Sequence, residues 1–274
     1  MALGSLGRGI RNALVNTIKG AGDVVGATVD VTQESVVDVL KGVRDVTSEV
    51  FGMATDAIAG AVRAANEVGG EAGTAVKGTV IGIIKGIGEV STVTVGVLSD
   101  TVRAAIKGTK DVGGDVNQTA RSAVEGAMTT TKAVGLSIGD TAFSIAKSAI
   151  TGAKETGSDI ASVAKNTMIG AITGTAEIAA DIGEAAKSTS KGLVKGTAEV
   201  GGDIANVARS AVEGAIEGAK NIGTKAEDAA SAAATGAVEA ASDISDSAGT
   251  AVKDAVTGTI SGVKVVLQTP FKKD

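Results

Sequence analysis

The chain repeats itself every 22 residues from Ala2 to Val265 without an insertion. The repeats begin at Ala2, Val24, Val46, Val68, Val90, Val112, Val134, Thr156, Ile178, Val200, Ile222 and Ile244. Position 17 of each holds a bulky apolar residue: Ile18, Leu40, Val62, Ile84, Ile106, Met128, Ile150, Ile172, Val194, Ile216, Val238 and Ile260. Two residues later, nine of the twelve repeats carry glycine. A fixed period of this kind decides architecture before any local reading, because each unit buries its apolar face only against its neighbours. It also moves the question of function from a single site to a surface presented many times.

Twenty-two residues are twice eleven, and eleven span three helical turns at about 3.67 residues per turn. Apolar residues concentrate at positions 1, 5, 9, 13, 17 and 20. These steps of four and three are helical, whereas a strand would require steps of two. The stripe neither drifts nor resets, so each repeat reads as an amphipathic helix. The fold class expected is all-α: twelve 22-residue repeats in one array over residues 2–265, extended or folded into long helical hairpins, with a tail at 266–274.

Composition narrows the alternatives. Cys, His, Trp and Tyr are absent and Phe occurs three times. The sequence therefore offers no disulfide framework, no thiolate or imidazole chemistry and no catalytic motif. No cofactor or metal is expected, and a non-enzymatic role is. The sole proline is Pro270, which suits uninterrupted helix before it. Thr79–Leu98 is the most apolar stretch, but Lys85 and Glu89 interrupt it, so no transmembrane span is expected. The net charge of −5, with no acid-free basic face, disfavours nucleic acid as a partner.

Thirty-nine glycines, at about 1 kcal/mol each relative to alanine, make an isolated helix poor. Many stand at positions 15 and 19, as in Gly170–Gly174 and Gly214–Gly218. That spacing permits close helix–helix approach, or else defers folding until a surface is met. A second group recurs every 44 residues: Gly69-Gly70-Glu71, Gly113-Gly114-Asp115, Gly157-Ser158-Asp159 and Gly201-Gly202-Asp203. Glycine followed by an acid reads as a C-cap and then an N-cap. Turns at Gly69, Gly70, Gly113, Gly114, Gly157, Gly201 and Gly202 would give helices of about 40 residues, each about 60 Å long. Straight continuation is the other reading, because the apolar phase runs through each of these sites.

Charge is sorted by repeat position. Positions 10 and 21 hold thirteen bases and no acid, among them Arg44, Lys110, Arg121, Lys132, Lys154, Lys165, Arg209 and Lys220. Positions 4, 11 and 22 hold nineteen acids and one base, Lys225. A merely solvated face would mix its signs. Neighbouring helices laid parallel would instead set a basic edge against an acidic one, so self-association with parallel neighbours is expected. The first repeat differs: Arg8, Arg11 and Lys19 precede any acid, and its stripe uses Leu3, Leu6, Ile10, Leu14 and Ile18. It reads as a basic amphipathic helix able to begin adsorption to a membrane, or as a capping repeat.

Several segments resemble known amphipathic-repeat proteins. Thr151-Gly152-Ala153-Lys154-Glu155, Lys107-Gly108-Thr109-Lys110-Asp111, Lys195-Gly196-Thr197-Ala198-Glu199 and Glu217-Gly218-Ala219-Lys220-Asn221 look like the 11-residue-repeat segments of perilipins, and more loosely those of synucleins and exchangeable apolipoproteins. The resemblance implies a helix that folds on adsorbing to a lipid monolayer and coats it. The Gly-Gly-Asp/Glu recurrence and the glycine beside the apolar column depart from that pattern. Late-embryogenesis-abundant proteins share the period but are more polar. The expected function is thus a coat on a lipid droplet, storage granule or membrane leaflet, cytoplasmic and peripheral to that surface. A self-assembling scaffold or filament of packed helices is the first alternative, and a stress-protective helix the second.

Overall fold

The computed structural model describes residues 3–18, 23–41 and 46–268. Among them are twelve helices: α1 (Leu3–Ile18), α2 (Val24–Leu40), α3 (Val46–Val68), α4 (Ala72–Val90), α5 (Val95–Asp111), α6 (Val116–Thr131), α7 (Ile138–Thr156), α8 (Ile160–Glu177), α9 (Ile182–Glu199), α10 (Ile204–Asn221), α11 (Ala226–Ser242) and α12 (Asp246–Val256). Two short strands, β1 (Gly258–Ile260) and β2 (Val263–Val265), follow. The chain is all-α apart from this hairpin, as the periodicity requires. The long helices do not form. The chain turns once per repeat, so each helix spans one repeat and not two.

Turn chemistry explains the difference. Gly69, Gly113, Gly157 and Gly201 stand at φ 64–70°, one or two residues past a helix end. The next residue's N–H closes the turn by bonding back across it, as from Gly70 to Ala65 at 2.8 Å, Gly114 to Thr109 at 2.9 Å, Ser158 to Ala153 at 2.9 Å and Gly202 to Thr197 at 2.8 Å. This is the six-to-one bond of a Schellman cap. Gly135 and Gly223 repeat it between the expected sites, and Ala179 does so without glycine, at φ 49°. Asp115, Asp159, Asp181 and Asp203 then cap the next helix by accepting a backbone N–H. Ser137 takes that role for α7. The intermediate turns carry one glycine or none, and so lack the doubled signal. The apolar phase survives because turn and helix together always consume 22 residues.

The helices stack in two layers. From α1 to α11 each helix makes its principal contacts with a helix two positions away, so α1, α3, α5, α7, α9 and α11 form one layer and the even-numbered helices through α10 the other, while α12 packs most against α11. Sequence neighbours run antiparallel, hence helices within a layer run parallel. Backbones approach closely inside each layer. A Cβ added to Gly170, Gly192, Gly214 or Gly236 would lie 2.1–2.4 Å from the carbonyl oxygen of Arg121, Phe143, Lys165 or Lys187. Each of those partners is 49 residues earlier, on the parallel neighbour. Only a residue without a side chain fits there, and this is the close-approach reading of the position-15 glycines. Alanine, valine, isoleucine and threonine fill the space between the layers.

The last repeat ends differently. Helix α12 stops at Val256, and β1 pairs antiparallel with β2 where the sequence pattern continues as helix. Ser261 and Gly262 both have positive φ, 49° and 80°, as a two-residue hairpin turn matching strand twist requires. Ile260 and Val265 are buried, and the Gln268 N–H donates to Thr235 Oγ1 on α11 at 2.8 Å. The hairpin therefore covers the end of the odd layer. The expected tail is held to α11 as far as Gln268, and its remainder lies outside the described residues.

Four substitutions test the turns and this packing. Ala179→Gly relieves a left-handed alanine and is expected to raise stability by about 1 kcal/mol in urea unfolding, whereas Gly157→Ala lowers it by about as much. Gly192→Ala is expected to cost about 1–3 kcal/mol through the clash with Phe143. Gly96→Ala, where the nearest atom stands 3.5 Å away, should be neutral or stabilising by up to about 1 kcal/mol. Equal effects at Gly192 and Gly96 would contradict the close approach.

Candidate functional surface

The apolar column is brought together, but as core. Leu40, Val62, Ile84, Ile106, Met128, Ile150, Ile172, Val194, Ile216 and Ile260 are all buried. Val238 is half-buried, and the Ile18 side chain lies outside the described residues. In this conformation the ten buried members of the column have no exposed face to offer to a lipid surface. The larger first-repeat stripe behaves alike: Ile10 and Leu14 are buried, and α1 packs on α3.

The charge sorting resolves into two separate arrangements. The first follows helix ends. Of the position-4 acids, Glu71, Asp115, Asp159, Asp181 and Asp203 are N-caps and Glu49 stands in the first turn of α3. Among the position-21 bases Lys110, Lys154 and Lys220 lie in last turns, with Lys132 at the C-cap of α6. Acid at the N-terminus and base at the C-terminus both oppose the helix dipole, each by a few tenths of a kcal/mol. These bases therefore do not form one lateral edge. Hydrogen bonds from Ser162 hold the Asp159 carboxyl below its ordinary value. Arg44 lies outside the described residues.

The second arrangement crosses between parallel helices of one layer. Arg103–Glu155, Lys147–Glu199, Lys165–Glu217 and Lys187–Glu239 each join residues 52 apart. Lys191–Glu239 and Lys195–Asp243 add rungs. The expected meeting of base and acid on parallel neighbours thus occurs within the chain. Of the seven described bases among the eight named for a lateral edge, Lys165 alone is a rung, while Arg209 pairs within α10 with Glu213 at 3.3 Å. Exposed pairs of this kind contribute about 0.2–1 kcal/mol each and set register more than strength. At Glu239 burial works against the charge, but Lys187 and Lys191 outweigh it and lower the carboxyl's pKa.

One cluster is less exposed. Lys77 on α4 reaches Glu125 on α6 at 2.9 Å and Glu177 at the end of α8 at 2.6 Å. The side chains of Lys77 and Glu125 are 17% and 16% exposed, so this hub tethers three successive even-layer helices in a low-dielectric setting. Burial opposes the Lys77 charge, yet the two carboxylates prevail and raise its pKa. Burial, together with Glu125 nearby, raises that of Glu177. Arg121 lines the open groove beside the hub, with Gln118 and Ser122.

Other grooves are open and lie on the surface. One of about 490 Å³ is lined by Phe51, Arg103, Lys107, Lys110 and Glu155, with the Arg103 guanidinium 5.1 Å from the Phe51 ring centroid. Another, of about 480 Å³, is lined by Arg8, Arg11, Arg63, Asn66 and Glu67 at the α1–α3 end. Burial pushes the nearby Asp56 carboxyl up, against the pull of Arg8 and Arg63. Among the described residues no group of acids is placed to hold a metal ion, and no helix is long and apolar enough to cross a membrane. Sequence reasoning read the position-4 aspartates as N-caps but missed the helix-end role of position 21, although the glycine at position 2 signals where the preceding helix stops. No protein-family model and no curated protein matches the chain.

Lys77→Met keeps the aliphatic stem and leaves two carboxylates facing each other. It is expected to lower stability by about 1–3 kcal/mol, between exposed and fully buried pairs. The raised Lys77 pKa makes its contribution complete below pH 10.5, to be lost as pH climbs through the raised value. The lowered Asp159 and Glu239 contribute above their ordinary values of 3.8 and 4.5, and their contribution is lost in acid. Glu177, being raised, opposes this as it ionises. Urea midpoints against pH should form a plateau falling on both sides, with a shallower alkaline fall in Lys77→Met.

Proposed function

We propose that this chain is a non-enzymatic structural scaffold: a finite array of short helices that holds its own apolar column inside and presents charged, repeating outer faces. The observation that carries this reading is the burial of that column, ten of whose twelve members are shielded by the chain's own neighbouring helices. Parallel neighbours that satisfy the charge ladder are likewise supplied internally. Stacked helical repeats create extended surfaces suited to elongated partners or to further copies of the same chain. The scaffold is a structural and interaction role with no bound cofactor.

A coat on a lipid monolayer or another hydrophobic surface is the second reading, and one observation favours it. Among the described residues, most turns between helices carry a glycine at positive φ, and the core is built largely of small side chains. Opening at the turns would release the column to a surface, with many weak contacts summing to tight binding. The resemblance to perilipins and exchangeable apolipoproteins belongs to this reading, as does a cytoplasmic place at a droplet or granule.

Circular dichroism separates the two. The scaffold is expected to be strongly helical in dilute lipid-free buffer, to melt cooperatively and to gain little helix on adding a phospholipid emulsion. In the same buffer Ile150→Ala should cost about 2–5 kcal/mol, the usual loss for a buried isoleucine. Weak helicity that rises steeply with lipid, and indifference of the lipid-free protein to Ile150→Ala, would overturn the scaffold in favour of the coat.

A further inference from the structure

Three of the chain's seven arginines, Arg8, Arg11 and Arg63, line one groove between α1 and α3, in a protein of net charge −5. Lysine is the commoner base elsewhere on the molecule, so this concentration of guanidinium groups is local and chemically distinct. Only one of the three is neutralised by direct contact: Arg11 pairs with Glu67. Asp56 faces both Arg8 and Arg63 electrostatically, yet its Oδ2 is buried with no hydrogen-bond partner. Neither arginine reaches it. Among the described residues Arg8 and Arg63 thus have no ion-pair partner, and both side chains are exposed at the groove. Asn66 adds an amide to the same wall. Guanidinium forks present paired donors that match the oxygen spacing of a phosphate, where lysine acts only as a point charge. A groove of about 480 Å³, open to solvent, admits a phosphate with room for whatever carries it.

From these residues we infer that the α1–α3 groove is a binding site for a phosphate group, held between Arg8 and Arg63 with Asn66 beside it. Arg11 is engaged by Glu67 and completes the wall without being the principal ligand. The phosphate is either a free ion or the headgroup of an anionic lipid, and the test distinguishes these sources. The site stands independently of the scaffold reading, because it needs only α1 packed against α3. If it takes headgroups, it fixes one end of the array on a membrane surface while the column stays buried.

The experiment uses the full chain. Calorimetric titration with inorganic phosphate is run beside co-sedimentation with vesicles of phosphatidylcholine, alone and mixed with phosphatidic acid. Binding is expected in the phosphate arm, the phosphatidic acid arm or both, and not with phosphatidylcholine alone. Phosphate alone assigns a free-ion site, and vesicles alone assign a headgroup site. Arg8→Gln with Arg63→Gln should weaken whichever binding is seen by about tenfold or more. Lys132→Gln with Lys154→Gln, which removes equal charge at distant helix ends, should leave it within about twofold. Circular dichroism checks that each variant is folded. Should the glutamine pair fail to fold, Arg8→Lys with Arg63→Lys keeps both charges opposite Asp56 and should still lose several-fold in affinity. The inference is overturned by no binding in any arm, by unchanged affinity in the arginine variants, or by an equal loss in the Lys132 and Lys154 variant.

Discussion

The structure depends on the approach of parallel helices backbone to backbone within each layer. Carbonyls of Arg121, Phe143, Lys165 and Lys187 occupy the space that a side chain would take at Gly170, Gly192, Gly214 and Gly236. Glycine lowers the helix propensity of every repeat by about 1 kcal/mol per residue, so the array needs its layers. Close approach offsets that cost by bringing more atoms into dispersion contact and by allowing weak Cα–H···O contacts. It also removes any need for aromatic fillers, since the gap between helices is too narrow to hold them. The small-residue composition and the tight stacking are one fact seen at two scales.

Register follows from this contact. Once glycine fixes how far one helix slides along its parallel neighbour, the same residue separations recur, 49 for the backbone approach and 52 for four of the ion pairs. The charges then confirm a register that sterics have already selected. Lys77 is the exception in degree, since its hub with Glu125 and Glu177 spans three helices, with Lys77 and Glu125 largely shielded from water and Glu177 at the exposed side. There a charge contributes to cohesion between units as well as to alignment. Buried hydroxyls such as Thr79 and Thr197 return their hydrogen bonds to the preceding helical turn, while Thr119 on α6 donates to Thr109 on α5 at 3.0 Å and so joins the two layers.

The layers present polar outer faces: α2 turns Asp30, Glu34 and Asp38 to solvent, and the β1–β2 hairpin covers α11 with Ile260 and Val265. A surface of that kind acts through its sides, and the Arg8–Arg63 groove and the Phe51–Arg103 groove both open there.

By itself the sequence determined the unit, its period and its chemistry. Steps of three and four identify helix, the column from Leu40 to Ile260 identifies the face that must be hidden, and the position-15 and position-19 glycines announce close contact. Those are properties of local geometry, legible in one chain. Where the helices end was only half legible, because Gly69-Gly70-Glu71 advertises a turn while Ala179 makes the same turn without glycine. What hides the column, and which base meets which acid, was decided only by tertiary structure. An apolar stripe is satisfied equally by lipid, by another molecule or by the helix two repeats away, and no local rule distinguishes them. The distinction arises when a turn of three to six residues reverses the chain between described helices and places Lys165 beside Glu217. From then on the neighbours expected from outside are already present within.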